Sequence, residues 1–194
     1  MTEQTWIAER LGDQAETHEA FEDAVFAEGT LDAKEKRLCA VAAANMARDR
    51  GGLQEQIEKA KEAGADEDDL AGALSMAWMT AGSTQIYWAQ DVFEEQIEHA
   101  WYKRRLGEAS KAFGEFHDAI MEDGPLPEVF MELLGVVVGC MGRCEHCVEA
   151  HIQQALDKGA TKDQVAEALG VVWYIGGRSQ VTWLEDRLDE LLTG

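Results

Sequence analysis

The sequence predicts an all-α protein: two tandem copies of one helical unit, packed with pseudo-twofold symmetry. Three observations carry that expectation. The chain matches itself without a gap when slid by 95 positions, each copy carries helix start and stop signals, and only 2 prolines and few β-branched runs are present. The last point argues against a sandwich or barrel. A length of 194 residues, 46% apolar and 28% charged, suffices for a packed core and lies in the globular range.

The self-match is densest where GADEDDLAGALSMAWMTAGSTQIYWAQD, from Gly64, lies over GATKDQVAEALGVVWYIGGRSQVTWLED, from Gly159. Ala73/Ala168, Leu74/Leu169, Trp78/Trp173, Gly82/Gly177, Gln85/Gln180 and Trp88/Trp183 are identical pairs. Upstream the register holds through Phe21/Phe116, Asp23/Asp118, Gly29/Gly124, Leu31/Leu126, Leu38/Leu133, Met46/Met141 and Arg48/Arg143. A first repeat over 1–105 and a second over 106–194 are expected. The matched tryptophans are expected in the core or between the repeats, and the matched glutamines as buried hydrogen-bonders.

Each copy reads as helices. In the second, 113–122 is a short helix stopped by Gly124, and Pro125 and Pro127 open the next over 126–139. Gly139 and Gly142 break the run before Cys144, and a helix over 144–158 ends on Gly159. Thr161 with Gln164 makes a capping box for a helix to about residue 175. Gly176-Gly177 is expected to interrupt it before a last amphipathic helix over 178–192. In the first copy the corresponding cap is Asp66.

Charge narrows the partners. Asp and Glu number 38 against 17 Lys and Arg, a formal net charge of −21. Such a field repels nucleic acid and anionic membrane surfaces, so neither is expected to bind. It suits high solubility or a salt-rich cytoplasm. No apolar run approaches the roughly 18 residues of a membrane helix. The opening MTEQTWIAERLGDQAETHEA lacks a positive n-region and an apolar h-region, so a cytoplasmic protein is expected.

The chemistry lies where the copies disagree. The second carries GCMGRCEHCVEAH, with Cys140, Cys144 and Cys147 inside eight positions. At 100° per residue, Cys144, Cys147 and His151 fall within about 60° of one another on a helix. His151 is the i+4 neighbour of Cys147, and the cysteines are i, i+3, within disulfide reach. Free amides and the dipole of a helix start stabilise a thiolate. A stabilised thiol, a neighbouring base and a second thiol are the equipment of a thiol-redox site. The first copy has Asp49, Gly52 and Gln56 at these places, and Gly51 opposite His146. One working site per chain is expected.

Inert buried cysteines are common, but not with an in-phase histidine at a helix start. A zinc site from Cys140, Cys144, Cys147 and His151 or His146 would span about 16 Å if helical, unless the chain breaks at Gly142. No metal and no cofactor are therefore expected. Val148 rather than His follows Cys147, which excludes a c-type haem, and no βαβ pattern suggests a thioredoxin fold.

Glu132, twelve residues before Cys144-Glu-His146-Cys147-Val-Glu-Ala-His151, completes a pattern. The chain resembles the AhpD-like alkylhydroperoxidase branch of the carboxymuconolactone decarboxylase family, marked by a Glu twelve residues ahead of CxHCxxxH. The resemblance covers nearly the whole chain, because that branch is a two-copy helical protein with the motif in its second copy.

The resemblance implies a thiol-dependent peroxidase or disulfide reductase. Cys147 would attack a hydroperoxide, Cys144 would resolve the sulfenic acid to a disulfide, and Glu132 with His151 would relay protons. His146 would be an auxiliary residue near the first thiol. The physics leaves the order of the cysteines open, because the dipole favours Cys144 and the imidazole Cys147. Glu132 aligns with Arg37, so it too belongs to the second copy only.

The implied partners are a hydroperoxide substrate and a dithiol reductant, lipoyl-bearing or thioredoxin-like. A homo-oligomer, a trimer of two-copy chains, is expected. Two alternatives are the family's namesake lactone decarboxylation, an acid–base reaction that needs no CxxC, and a non-catalytic zinc-binding or scaffold protein. Cys39 and Cys140 are expected as small buried hydrophobes, and His18, His99 and His117 are given no role.

Overall fold

Helix starts in both halves are set at equivalent positions, 95 residues apart. The Asp66 carboxylate accepts from the Asp69 amide at 2.9 Å, and Thr161 Oγ1 from the Gln164 amide at 3.1 Å, in a full capping box. Stops match as well. Gly64 and Gly159 turn the chain at φ 95° and 102°, and Arg48 and Arg143 adopt the left-handed region at φ 58° and 54°.

The computed structural model describes residues 13–94 and 101–183. These form α1 (Asp13–Phe26), α2 (Ala33–Ala47), α3 (Arg50–Glu62), α4 (Glu67–Glu94), α5 (Trp101–Leu106), α6 (Glu108–Met121), α7 (Glu128–Met141), α8 (Glu145–Asp157) and α9 (Lys162–Thr182). No strand occurs among the described residues. The fold is all-α and duplicated: α1 to α4 correspond to α6 to α9, and α5 bridges the copies.

The two copies share one core. α2 and α7 lie against each other at its centre, α9 packs on α2, and α4 packs on α7. The contact segments are apolar and small, with Ala40, Val41, Ala42, Ala43 and Ala44 of α2 facing a core that holds Leu133, Leu134, Val137 and Val138 of α7. Small residues let helix backbones approach closely, so the middle of the molecule is tightly filled. α1 crosses to α9 and α6 to α4, so each copy's first helix covers the other copy's last. α3 and α8 lie on the outside, each against the helix before it in the chain.

Several expectations are corrected. The Gly176-Gly177 pair does not interrupt a helix, because α9 runs unbroken from Lys162 to Thr182. A glycine inside a helix costs only about 1 kcal/mol, and at Gly176 the missing side chain leaves room for Met141 Sδ, 3.3 Å from where a Cβ would sit. Gly139 likewise lies within α7, which continues to Met141 before the turn at Gly142 and Arg143. Pro127 is the N-cap of α7, so the helix opens two residues later than expected, and α6 begins at Glu108. The part of the expected last helix beyond residue 183 lies outside the described residues, as do 1–12 and His99.

The matched tryptophans are not in the core. Trp78 is 72% and Trp173 74% exposed, and Trp88 and Trp183 are exposed too. The first two instead make the inter-repeat contact: Trp78 meets Phe116 edge-on at 4.9 Å, and Trp173 meets Phe21 at 5.1 Å, one copy's ring on the other's. Gln85 and Gln180 are exposed, and Gln180 donates to the Gly176 carbonyl of its own helix.

Candidate active site

The loop from α7 into α8 positions the CxHC segment. After Arg143 the chain re-enters helix at Cys144, the N-cap of α8, whose Sγ accepts the Cys147 amide at 3.2 Å. A sulfur can take this role because the first amides of a helix lack carbonyl partners. The same bond favours negative charge on that sulfur. Cys144 and Cys147 are joined as a disulfide, with Cα atoms 5.3 Å apart. Both are buried, at 3% and 4% exposure.

One turn beyond Cys147, His151 meets Glu132. Nδ1 lies 2.7 Å from Glu132 Oε2, and Lys158 Nζ is 3.8 Å from the other oxygen. Glu132 is 1% exposed, in the middle of apolar α7 rather than on a solvated face. A buried carboxylate needs partners, and the imidazole supplies one. The ring lies against Gly135, where a Cβ would stand 2.5 Å from His151 Cγ and Nδ1. Glycine is required there to admit the imidazole.

His146 is exposed, and its ring stacks on Tyr87 of α4, centroids 4.6 Å apart and planes at 33°. The structure thus brings Glu132 to His151 and Cys144 to Cys147, and sets His146 at the surface of the same helix start. Two further residues escape a reading of the motif alone. Gly135 stands opposite Ala40 of the first copy, a glycine in one copy only, inside an apolar helix; that signal was available. Tyr87 belongs to the first repeat, and no spacing rule points to it.

The other cysteines stand apart. Cys39 is fully buried in α2, and burial pushes its thiol far above the usual range. Cys140, expected to be buried, is only half-buried, and its thiol is also raised by burial. Among the described residues no group of three or more His, Cys, Asp or Glu side chains gathers as a metal site. His117 lies 3.1 Å from the neighbouring Asp118 carboxylate, and His18 lies by Tyr174.

Fold and site together define a duplicated, all-helical protein with a Cys-x-x-Cys pair at one helix start and a carboxylate–imidazole pair beside it. The chain belongs to the carboxymuconolactone decarboxylase family, whose model matches residues 13–95 and again 107–186. It is 30% identical, over 75% of its length and 75% of the relative's, to an alkyl hydroperoxide reductase AhpD of Corynebacterium aurimucosum. Uncharacterised proteins of Cupriavidus necator and Paracoccus denitrificans are 38% and 34% identical over 69 and 73 residues. Those matches span 61% and 66% of their lengths. A crystal structure of a Burkholderia xenovorans protein, described as a gamma-carboxymuconolactone decarboxylase subunit, superposes with a TM-score of 0.70. It has 17% identity over 95% of this chain and 89% of that one.

Among the described residues no helix is long and apolar enough to cross a membrane.

Proposed function

We propose that this chain is a thiol-dependent peroxidase of the AhpD-like branch, cycling Cys144 and Cys147 between dithiol and disulfide. The Cys147 thiolate attacks the distal oxygen of a hydroperoxide, the O–O bond breaks, and the alkoxide leaves with a proton from His151. Cys147 is then a sulfenic acid. The Cys144 sulfur attacks it, water leaves, and the disulfide forms. A dithiol returns two electrons and two protons. The sulfurs carry the electrons, so the reaction needs no cofactor or metal.

What carries this reading is the Glu132–His151 bond at 2.7 Å, one helical turn from a Cys pair already within disulfide reach. A carboxylate on Nδ1 holds a proton there and leaves Nε2 to act as base and then acid. The likeness to the Corynebacterium AhpD supports it. The test is consumption of an alkyl hydroperoxide with dithiothreitol as reductant. Turnover lost in Cys147→Ser supports the cycle, and turnover surviving in both single cysteine variants overturns it.

A second reading has one observation in its favour: Glu132 and His151 form an acid–base pair without the sulfurs, as lactone decarboxylation would use. Turnover of a carboxymuconolactone by a chain lacking both cysteines favours it.

We further propose a cytoplasmic homo-oligomer, a trimer of two-copy chains with one working repeat each. Its support is a pair of exposed apolar faces, one of Trp78 on α4 with Phe113 on α6 and one of Trp173 with Leu169 on α9. Sedimentation at the mass of a monomer contradicts it.

A further inference from the structure

The two pseudo-equivalent helix junctions are held by different forces. Where α9 meets the start of α3, Thr182 donates to the Asp49 carboxylate and Arg178 pairs with Glu55. Where α4 meets the start of α8, the corresponding positions are Tyr87 and Ser83 on one side and Cys144 and Ala150 on the other. Ser83 spends its hydroxyl on the Met79 carbonyl of its own helix, and Ala150 has nothing to pair. The junction is made instead by Tyr87 stacked on His146, and by Thr84 against Gly142, where a Cβ would come within 2.7 Å of Thr84 Cγ2. The Lys103 ammonium lies 5.5 Å from the Tyr87 ring centroid. Opening the α4–α8 junction parts rings and packed surfaces, whereas opening the α3–α9 junction breaks an ion pair and a hydrogen bond.

The buried sulfurs need such a place. Dithiol reduction requires a thiolate to reach one sulfur along the S–S axis, yet Cys144 and Cys147 are 3% and 4% exposed. Of the two residues between them, His146 is exposed and packed against Tyr87.

We propose that Tyr87, contributed by the first repeat, is a positioning residue of the second repeat's site: by stacking on His146 it closes the start of α8 over the Cys144–Cys147 pair and sets how fast an external thiol reaches it. The inference rests on the dithiol reading above. In the step concerned, one thiolate of the reductant bonds to the Cys144 sulfur and Cys147 leaves as a thiolate. The reductant's second thiol, deprotonated, then attacks its own sulfur in that mixed disulfide, and Cys144 leaves. The reductant becomes the disulfide, and the protein pair gains two electrons and, from the two thiols, two protons.

The experiment follows reduction of the oxidised full chain by excess dithiothreitol, quenched with iodoacetamide and read by mass, with no peroxide present. Tyr87→Ala is expected to be reduced about tenfold faster than wild type, as a local opening becomes cheaper. Tyr87→Phe, which keeps the stack, stays within about twofold. Trp88→Ala, an exposed neighbour on the same helix, matches wild type. Cys39, sealed in α2, stays unalkylated throughout, which marks an intact fold. The proposal is overturned if Tyr87→Ala is no faster than wild type, if Tyr87→Phe is as fast as Tyr87→Ala, or if acceleration comes with alkylation of Cys39. A pair that dithiothreitol cannot reduce in any variant overturns the dithiol reading itself, whereas a reducible pair with equal rates overturns only the role of Tyr87.

Discussion

Arg37 donates to Gln56 at 3.0 Å in the first repeat, in the place where Glu132 meets His151 at 2.7 Å in the second. The frame is the same: Asp49 caps α3 through the Gly52 amide at 2.9 Å, as Cys144 caps α8 through that of Cys147. Only the chemistry differs. In the first repeat Arg37 lies over the Phe26 ring and reaches Glu22, so an ion network fills the equivalent place. One helix geometry therefore supports a carboxylate–imidazole pair in one copy and a guanidinium–amide pair in the other.

If Glu132 and His151 act as a unit, their losses do not add. Glu132→Gln and His151→Gln are each expected to lower dithiol-dependent peroxide turnover by about 10²-fold, with the double variant little worse than either. Steady-state rates of the three variants check this. Additive losses mean separate roles.

Gly135 admits the imidazole, so Gly135→Ala should push His151 off Glu132. Turnover is expected to fall with the helical circular dichroism retained and with about 1–3 kcal/mol of stability lost to overpacking. Urea unfolding measures the second part. The matched positions of the first repeat carry Ala40 and Gln56, which has no ring.

Much of this was legible in the sequence. The 95-residue offset placed α1 to α4 over α6 to α9 because identical glycines and tryptophans recur in register. The CxHC segment fell on a helix start because Gly142 ends the helix before it, whereas Gly139, read as a second breaker, lies within α7. Burial was less legible. Trp78 and Trp173 are matched because each makes the same crossed contact with a phenylalanine, which leaves most of the indole exposed. Tyr87 was hidden, since it joins its site across the pseudo-dyad and sequence spacing measures only one copy at a time.

Acid should strip stability from the first repeat. Burial alone would raise the Glu22 carboxyl, but hydrogen bonds from Lys59 and the Tyr174 hydroxyl, with the charges of Lys59 and Arg37, bring it from 4.5 to about 2. A depressed carboxyl contributes stability above its unfolded pKa, and the contribution is lost as pH falls from 4.5 through about 2. Glu22→Gln is expected to lose about 1–2 kcal/mol at neutral pH, allowing for solvent screening. It should also unfold less steeply with acid. Chemical denaturation at pH 7 and pH 3 compares the two chains.

The proposed cycle gives the two cysteines different roles. Cys147→Ser is expected to give no peroxide turnover, and Cys144→Ser to stop at a sulfenic acid on Cys147, trapped with dimedone and located by peptide mass. Sulfenic acid on Cys144 in the reciprocal variant would reverse their order.

The most direct measurement is the mass of the fully reduced chain after one equivalent of hydroperoxide. A loss of about two hydrogens, mapped to a Cys144–Cys147 bridge with Cys39 and Cys140 still thiols, is the predicted result. An unchanged mass, or oxidation spread over all four cysteines, contradicts a redox pair at the start of α8.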